Sequence, residues 1–308
     1  VVASGDSLGG NLLYQWQSST DGISNWTNVS GGIGANTDTY TTASLTSTLY
    51  YRVQVTQSPN GCETFSDAAP VFVATVTAQP INPAPICVGG IVNISITASL
   101  NGGTGTLSYQ WQSDSGSGFV NEVNATSTTP NFISNVLNTT TQFRCLVTSS
   151  TTNCTIISNV VQATVVPDPT ITVQPAGTTI CSGGNFTLSV TATNGTPGLN
   201  YQWLSSTDNS TFTAVSGATA ATYTTPALTQ TTYYKVDVSA TGNGCTTVTS
   251  SVATVIVLSD ISITTQPALR TNICSGSNAT LNVVVSGGTG NYTYQWKNSV
   301  AIAGPYVD

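Results

Sequence analysis

Hydrophobic and polar residues alternate in short runs along the whole chain, and no run keeps the spacing of a helix. Clear examples extend over Phe186 to Val190, Tyr201 to Trp203, Tyr233 to Val238 and Val252 to Val257, separated by Gly, Asn, Ser and Thr. Alternation with a period of two places every second side chain on one face of a strand. The pattern therefore predicts an all-β fold in which about seven strands form an antiparallel β-sandwich.

This pattern belongs to an internal repeat. The block Tyr-Gln-Trp occurs four times, and its tryptophans are separated by 95, 92 and 93 positions. Strand alternation places these tryptophans in the core; they are Trp16, Trp111, Trp203 and Trp296. The dipeptide Gln-Pro begins successive copies at Gln79, Gln174 and Gln266. A period of this length predicts tandem domains arranged end to end.

The repeat divides the chain into four segments, which we call repeats 1 to 4. Their predicted bounds are 1–74, 75–168, 169–259 and 260–308. Alignment of the copies places Val1 inside strand B of repeat 1 and the last residue soon after strand C of repeat 4. We therefore expect the first domain to lack its N-terminal part and the last its C-terminal part. The short, proline-containing joints, such as Pro167-Asp168-Pro169, predict a rod with limited bending.

Composition excludes several kinds of partner. Only 6% of the residues are charged, the net charge is −7, and five basic residues are spread over 308 positions. So few cations cannot neutralise a run of phosphates, so no nucleic-acid partner is expected. The longest apolar runs, such as Val71 to Val76, are far shorter than the roughly 20 residues of a spanning helix. No membrane insertion is expected in this segment.

The sequence also lacks the residues that common catalytic sites require, so we expect no enzyme activity and no cofactor. The tetrapeptide Gly5-Asp6-Ser7-Leu8 is similar to the nucleophile block of GDSL-type esterases, but the chain has no histidine to act as base. It aligns with the turn between strands B and C. Zinc would need closely spaced Cys or His, and calcium would need more carboxylates than Asp168 or Asp260 supplies at each joint.

The repeated motifs Q-P, I-C-S-G, Y-Q-W, Y-Y-x-V and N-G-C carry a resemblance to a known family. They resemble the immunoglobulin-like (Ig-like) repeat arrays of secreted and surface proteins of Bacteroidota, over essentially the whole chain. The resemblance implies tandem Ig-like sandwiches with the tryptophan on strand C. It also implies a secreted protein that is extracellular or at the cell surface.

Seven cysteines fall into repeated positions, with one exception. Three lie 22 to 24 residues before their tryptophan, and three lie 42 to 46 residues after it. Pairing within a domain predicts the disulfides Cys87–Cys154 and Cys181–Cys245, which require an oxidising compartment. Cys62 and Cys274 would be left unpaired by truncation, unless they join successive chains head to tail. The exception, Cys145, occupies a strand F position and is expected to be a buried, inert thiol; it has no counterpart in the other repeats.

One set of basic residues recurs at a single strand F position. It consists of Arg52, Arg144 and Lys235. Alternation turns these side chains outward, beside the strand C residues Gln15, Gln110 and Gln202. Two interpretations stay open: a charged face that prevents aggregation, or a contact face for glycans or neighbouring strings.

These observations predict a non-enzymatic structural segment, such as a stalk or fibre of a bacterial surface or secreted protein that serves adhesion or surface assembly. Two alternatives are a carbohydrate-binding module and a spacer in a large secreted enzyme. The candidate partners are other copies of the chain, through self-association into fibres, and glycans. Fold alone does not choose among these functions.

Overall fold

The computed structural model describes residue 3 and residues 11–59, 61–269 and 271–299. The tetrapeptide Gly5-Asp6-Ser7-Leu8 and the predicted start inside strand B at Val1 lie outside these residues. Every regular element in the described ranges is a β-strand, and none of them contains a helix able to cross a membrane. The chain divides into two compact units, Val1–Val165 and Val166–Asp308. The first contains repeats 1 and 2, and the second contains repeats 3 and 4.

In the first unit, repeat 1 supplies five strands and repeat 2 supplies eleven. The strands of repeat 1 are β1 (Asn11–Ser19), β2 (Thr27–Asn28), β3 (Leu49–Ser58), β4 (Glu63–Phe65) and β5 (Ala69–Val71). Those of repeat 2 are β6 (Thr75–Ala78), β7 (Ile86–Cys87), β8 (Asn93–Ser95), β9 (Thr97–Ser99), β10 (Leu107–Asp114), β11 (Val120–Asn121), β12 (Asn131–Ile133), β13 (Thr141–Ser149), β14 (Thr155–Ile157), β15 (Val161–Ala163) and β16 (Val165–Val166).

In the second unit, repeat 3 supplies ten strands and repeat 4 supplies two in the described residues. The strands of repeat 3 are β17 (Thr170–Val173), β18 (Thr178–Cys181), β19 (Thr187–Ser189), β20 (Thr191–Thr193), β21 (Asn200–Ser206), β22 (Thr213–Ala214), β23 (Thr222–Thr224), β24 (Thr232–Ser239), β25 (Val248–Thr249) and β26 (Ala253–Leu258). Those of repeat 4 are β27 (Ser262–Thr265) and β28 (Val284–Ser286).

Repeat 3 is a complete Ig-like sandwich. One sheet has the order β18-β26-β24-β21-β22, with β25 beside β24, and we name these strands A′, G, F, C and C′. The opposing sheet is formed by the pairs β17–β20 and β19–β23, which are strands A, B and E. Repeat 2 has the same arrangement, with β7 as A′, β10 as C, β13 as F, and β15 and β16 as G. The predicted all-β, tandem Ig-like fold is confirmed.

Three aromatic rings pack in a row in each of the first three repeats. In repeat 2 the ring centroids of Trp111 and Phe132 are 5.3 Å apart, and those of Phe132 and Phe143 are 5.4 Å apart. The corresponding triads are Trp203, Tyr223 and Tyr234 in repeat 3, and Trp16, Tyr40 and Tyr51 in repeat 1. Offset rings at this spacing are favourable beyond the area that they bury. In repeats 2 and 3, the middle ring of the triad belongs to one sheet and the outer two to the other, so the triad joins the opposing sheets.

The four tryptophans predicted as core residues differ in burial. Trp111 and Trp203 are fully buried, whereas Trp16 is half-buried. Trp296 was expected in the core but is 48% exposed. Among the described residues of repeat 4, only strands A and B are formed, so no strand F packs against this indole. The expectation for Trp296 is wrong in this structure for that reason.

The Gln-Pro dipeptide marks the point where the first strand changes sheet. Strand A of repeat 3 pairs with strand B, and after Gln174 and Pro175 the chain continues as A′, which pairs in parallel with strand G. Proline has no N–H for a strand ladder, which favours a break there. The side-chain oxygen of Gln174 accepts a hydrogen bond from the backbone N–H of Ser251 at 2.9 Å. Strand A′ is thereby aligned along strand G, and Cys181 lies opposite Leu258.

Candidate interaction face

The basic residues of strand F lie on the same sheet face as the strand C glutamines, and each has a different residue directly opposite it. Arg52 is opposite Gln17, Arg144 is opposite Gln112, and Lys235 is opposite Leu204. Gln15, Gln110 and Gln202 come two residues earlier on strand C, so they share the face of these cations and lie diagonal to them. Alternation identifies the face of a strand, whereas the directly opposite partner depends on the register.

The strand C glutamines hold the C and C′ segments together. The amide Nε2 of Gln110 donates to the carbonyl oxygens of Trp111 and Glu122, both at 2.9 Å. Gln202 donates in the same way to the carbonyl oxygens of Trp203 and Val215. These half-buried amides satisfy backbone carbonyls, as buried polar groups require. Their role in the structure is to fix strand C′.

Each basic side chain on this face is stacked on an aromatic ring. The guanidinium Cζ of Arg52 lies 4.4 Å from the ring centroid of Trp26 and 4.2 Å from that of Phe65. The Cζ of Arg144 lies 4.0 Å from the centroid of Phe119. The Nζ of Lys235 lies 4.4 Å from the centroid of Phe212. A cation at this distance from a ring face is attracted by the ring quadrupole.

We call these pairs the cation–aromatic stacks. The sequence predicted the three basic residues of this face but not the aromatic rings on which they stack. Arg52 and Arg144 are held further by hydrogen bonds from Nε to the side-chain oxygens of Gln17 and Gln112, at 2.9 and 2.7 Å. The signal was present in the sequence, because an aromatic residue follows each of the first three Tyr-Gln-Trp blocks by eight to ten positions. The charges of this face therefore already have partners within their own repeats.

The turn between strands C and C′ carries an aspartate in each of the first three repeats. Asp208 accepts hydrogen bonds from Ser206 Oγ at 2.7 Å and from the backbone N–H groups of Ser210 and Thr211 at 2.8 Å. These bonds, of which that from Ser206 is the strongest cause, lower the pKa of Asp208 to about 2. Hydrogen bonds also lower the pKa of Asp21, chiefly the bond from the side chain of Ser24, and the pKa of Asp114, chiefly the bond from the backbone N–H of Gly116. The carboxylates serve to close these turns.

A second feature missed by sequence reasoning is a serine at the start of strand G. The Oγ of Ser250 accepts a hydrogen bond from the N–H of Val236, in the middle of strand F, at 2.9 Å. Ser158 and Ser66 accept the same bond from Cys145 and Val53. Each serine follows its partner by 13 or 14 positions, and this spacing could have identified the motif. The serine satisfies a buried N–H where the F–G ladder is interrupted.

The cysteines are only partly as predicted. Cys145 is fully buried, and desolvation raises the pKa of its thiol to about 11, as expected of an inert thiol. Cys62 and Cys274 are exposed free thiols. A bond between Cys62 and Cys274 of successive chains stays a prediction.

The two predicted intradomain disulfides are not formed in the structure. Cys154 and Cys181 are free thiols, whereas Cys87 and Cys245 are disulfide-bonded. In repeat 3, Cys181 lies beside Leu258 at the last residue of strand G, and Cys245 belongs to the loop that precedes strand G. The spacing in sequence suggested proximity, but the parallel pairing of A′ with G places these cysteines at opposite ends of the sandwich.

Comparison with known proteins supports the assignment of the chain to a domain family. No curated protein matches the sequence. Among solved structures, three N-terminal domains of the bacteriophage RB49 Highly Immunogenic Outer Capsid protein are similar, with 14% identity, a TM-score of 0.42, and coverage of 83% of this chain and 91% of that one. Drosophila OTK extracellular domains 3–5 give 18% identity, a TM-score of 0.34, and coverage of 80% and 86%.

Two family models match the chain. Residues 272–301 in repeat 4 are similar to the model described as SprB repeat. The model described as Domain of unknown function (DUF8696) matches three times, at residues 1–78, 82–167 and 170–259. Since these three matches cover well over half of the 308 residues, the chain belongs to the DUF8696 domain family.

Proposed function

We propose that this chain is a non-enzymatic structural segment of an extracellular or cell-surface protein, which acts as a stalk or fibre and holds other parts of the protein apart. The observation that carries the proposal is the construction of the joints. Only three residues separate the last strand of one repeat from the first strand of the next, as between Val71 and Thr75 and between Leu258 and Ser262. A spacer needs joints that do not act as long flexible linkers.

Each joint is bonded to the B–C turn of the repeat that follows it. In the first unit, Nδ2 of Asn101 donates to the carbonyl oxygen of Val73 at 2.7 Å. In the second unit, Gly195 N–H donates to the carbonyl oxygen of Pro167 at 3.0 Å. Before repeat 4, Gly288 N–H donates to the carbonyl oxygen of Ser259 at 2.7 Å. The same restraint thus recurs at all three joints.

Glycine is required in these turns because the linker approaches them closely. A Cβ on Gly102, whose φ is +97°, would lie 2.7 Å from the ring of Phe72. A Cβ on Gly287, whose φ is +87°, would collide with the carbonyl oxygen of Asp260. L-residues rarely adopt such φ values, and no side chain fits the space. The turns are therefore suited to hold the joint rather than to bind a ligand.

The match of repeat 4 to the SprB repeat model, together with the resemblance to Bacteroidota surface arrays, supports a location outside the cell. The disulfide-bonded state of Cys87 and Cys245 supports it as well, because disulfides persist in an oxidising compartment. We place the segment on the cell surface or in a secreted protein, where it serves adhesion or assembly, including self-association into fibres.

Small-angle X-ray scattering of the 308-residue chain tests the spacer function. A compact globule of this length has a radius of gyration of about 19 Å, and a spacer should exceed that value clearly. Insertion of about ten Gly and Ser residues after Phe72 should broaden the distribution of interatomic distances, because it releases the joint. The same insertion at Asn209, in the C–C′ turn, is the control and should leave it unchanged. A radius of gyration near the compact value would contradict the proposal.

A second candidate is a glycan-binding face formed by the cation–aromatic stacks, which recur on the same sheet face of three repeats. The variant Arg52→Ser/Arg144→Ser/Lys235→Ser tests it, with glycan-array binding of the wild type as the reference. Loss of glycan retention without loss of folding would favour the binding module. Equal glycan retention by the wild type and the variant, or no retention by the wild type, would favour the spacer function alone. A spacer of this kind could also be part of a large secreted enzyme.

A further inference from the structure

Repeat 4 carries an apolar groove along its A–B sheet. The groove has a volume of about 480 Å³, and no charged residue lines it among the described residues. Its apolar lining consists of Ile261, Ile263, Val283, Val285, Tyr294 and Trp296. The side chains of Ile263, Tyr294 and Trp296 are 50%, 56% and 48% exposed. Exposed apolar surface concentrated in one place is typical of a site that binds another molecule.

The corresponding face is covered in repeat 3, which belongs to the same compact unit. In repeat 3 the strand B residue Leu188 and the strand C residue Trp203 are fully buried. Their counterparts 93 positions later, Leu281 and Trp296, are 49% and 48% exposed. Repeat 3 therefore shows what fits against such a face.

Strand F covers this face in repeat 3. It lies antiparallel to strand C, with Val236 opposite Trp203 and Val238 opposite Tyr201. Tyr234, Val236 and Val238 are at most 2% exposed, and they belong to the same core cluster as Trp203. The residues between them point to the other face of the sheet. A strand with aromatic and β-branched side chains at every second position is thus the element that fills this space.

Repeat 4 also has backbone available where that strand would pair. Strand C of repeat 3 is Asn200–Ser206, and its first five residues correspond to residues 293–297. Residues 293–297 are in no strand ladder within the described part of the chain. Backbone groups outside a ladder are a template for an added strand, which supplies main-chain hydrogen bonds while pockets select its alternate side chains.

We propose that repeat 4 binds an extended β-strand of another polypeptide, whose alternate residues follow the strand F pattern Tyr-x-Val-x-Val. The strand lies antiparallel to residues 293–297, and its apolar side chains fill the groove. Because the groove lining is uncharged, the inward residues of the strand are neutral, whereas its outward residues are free to vary. The inference goes beyond the spacer function and does not depend on it, since the spacer function is argued from the joints.

Fluorescence anisotropy of a labelled peptide tests the proposal on the 308-residue chain. The probe has the sequence of residues 232–239, TYYKVDVS, which is strand F of repeat 3. Binding should be saturable, with one peptide per chain, and should protect residues 283–285 and 293–297 from hydrogen exchange. Absence of saturable binding, as for a groove already filled by the chain itself, would overturn the proposal. Protection confined to repeats 1–3 would overturn it as well.

Two substituted peptides test whether the alternating pattern is recognised. Replacing the inward residues, Tyr234→Ser/Val236→Ser/Val238→Ser, should weaken binding by a factor of about ten or more, because the apolar area buried in the groove is lost. The matched control peptide has serine at positions 233, 235 and 237, which are the outward residues, and should bind about as well as the probe. Equal affinities of the two substituted peptides would contradict recognition by the groove.

Variants of the chain locate the site and identify other occupants. Trp296→Ala should weaken binding of the probe, whereas Leu269→Ala, which changes a fully exposed residue outside the groove, should leave it unchanged. A wild-type chain that sediments as a dimer and becomes monomeric in Trp296→Ala would show that a second copy covers the groove, and the proposal would then be wrong. None of these results depends on the scattering measurement, so the strand site and the spacer can fail separately.

Discussion

The indole Nε1–H of Trp203 donates a hydrogen bond to the carbonyl oxygen of Ala220 at 2.9 Å. The same bond joins Trp111 to Thr129, so the tryptophan of each complete sandwich both fills the core and is satisfied as a donor. Trp203→Ala should destabilise repeat 3 by about 3–5 kcal/mol, because a fully buried ring is replaced by a cavity. Hydrogen exchange of repeat 3 peptides measures the change.

Trp296→Ala is the control for that substitution. The side chain is 48% exposed, so its removal should change protection in repeat 4 by less than about 0.5 kcal/mol. Equal losses at Trp203 and Trp296 would contradict the difference in burial.

The hydroxyl of Ser250 should contribute measurably to stability. Its Oγ accepts from Val236 N–H, and Ser250→Ala would leave that buried N–H without its acceptor. A cost of about 1–3 kcal/mol is expected for an unsatisfied buried donor. Chemical denaturation of the wild type and the variant, followed by hydrogen exchange of the strand F amides, measures this loss of stability. Ser210→Ala, in the exposed C–C′ turn, should be neutral within about 0.5 kcal/mol.

The sequence was sufficient for the features that depend on local alternation and on the repeat. Alternation identified strands such as that of Tyr233 to Val238, and the spacing aligned Trp111 with Trp203. The sequence was insufficient for features that depend on pairing between distant strands. The position of Cys181 follows from a sheet change at Gln174 and from parallel pairing with Leu258, 77 residues later. A period of two specifies a face, not the register or the end of the sandwich.

Gly177 should tolerate no side chain, because strand A′ passes very close to strand G there. A Cβ at this position would lie 2.8 Å from the backbone N of Thr254 and would also collide with its carbonyl oxygen. Gly177→Ala should therefore cost about 1–3 kcal/mol, as overpacking does, and increase exchange in residues 178–181. Gly198→Ala is the matched control, since a Cβ there meets nothing within 4 Å. Unchanged protection of strand A′ in Gly177→Ala would refute the close approach.

Alkaline pH should destabilise repeat 3 through Tyr234. Burial, and then the neighbouring Tyr223, raise the pKa of its phenol to about 12, against about 10 in an unfolded chain. Because the folded-state pKa is the higher one, the contribution to stability is complete below pH 10 and is lost as pH rises from about 10 to about 12. Denaturant midpoints between pH 8 and 11 should fall for the wild type. In Tyr234→Phe the fall should be smaller, and an identical pH dependence would count against the assignment.

The stack of Arg144 on Phe119 should be weakly but specifically stabilising. The guanidinium lies 4.0 Å from the ring centroid and at least partly in contact with solvent, for which a coupling of about 0.5–1 kcal/mol is usual. A double-mutant cycle with Arg144→Met and Phe119→Leu isolates this coupling, because methionine keeps much of the apolar stem. The free energy of unfolding of repeat 2, measured by hydrogen exchange in the wild type, the two single variants and the double variant, gives the four values of the cycle.

The control cycle combines Arg144→Met with Phe212→Leu, whose ring stacks on Lys235 in repeat 3. Two sites without a shared partner should give additive effects, so its coupling should be zero within about 0.3–0.5 kcal/mol. If both cycles gave the same coupling, the stack would not be a local interaction. If the Arg144–Phe119 coupling alone were found and glycan retention were absent, these charges would be explained by stability within each repeat, because the ring that a sugar would need is already covered by the cation.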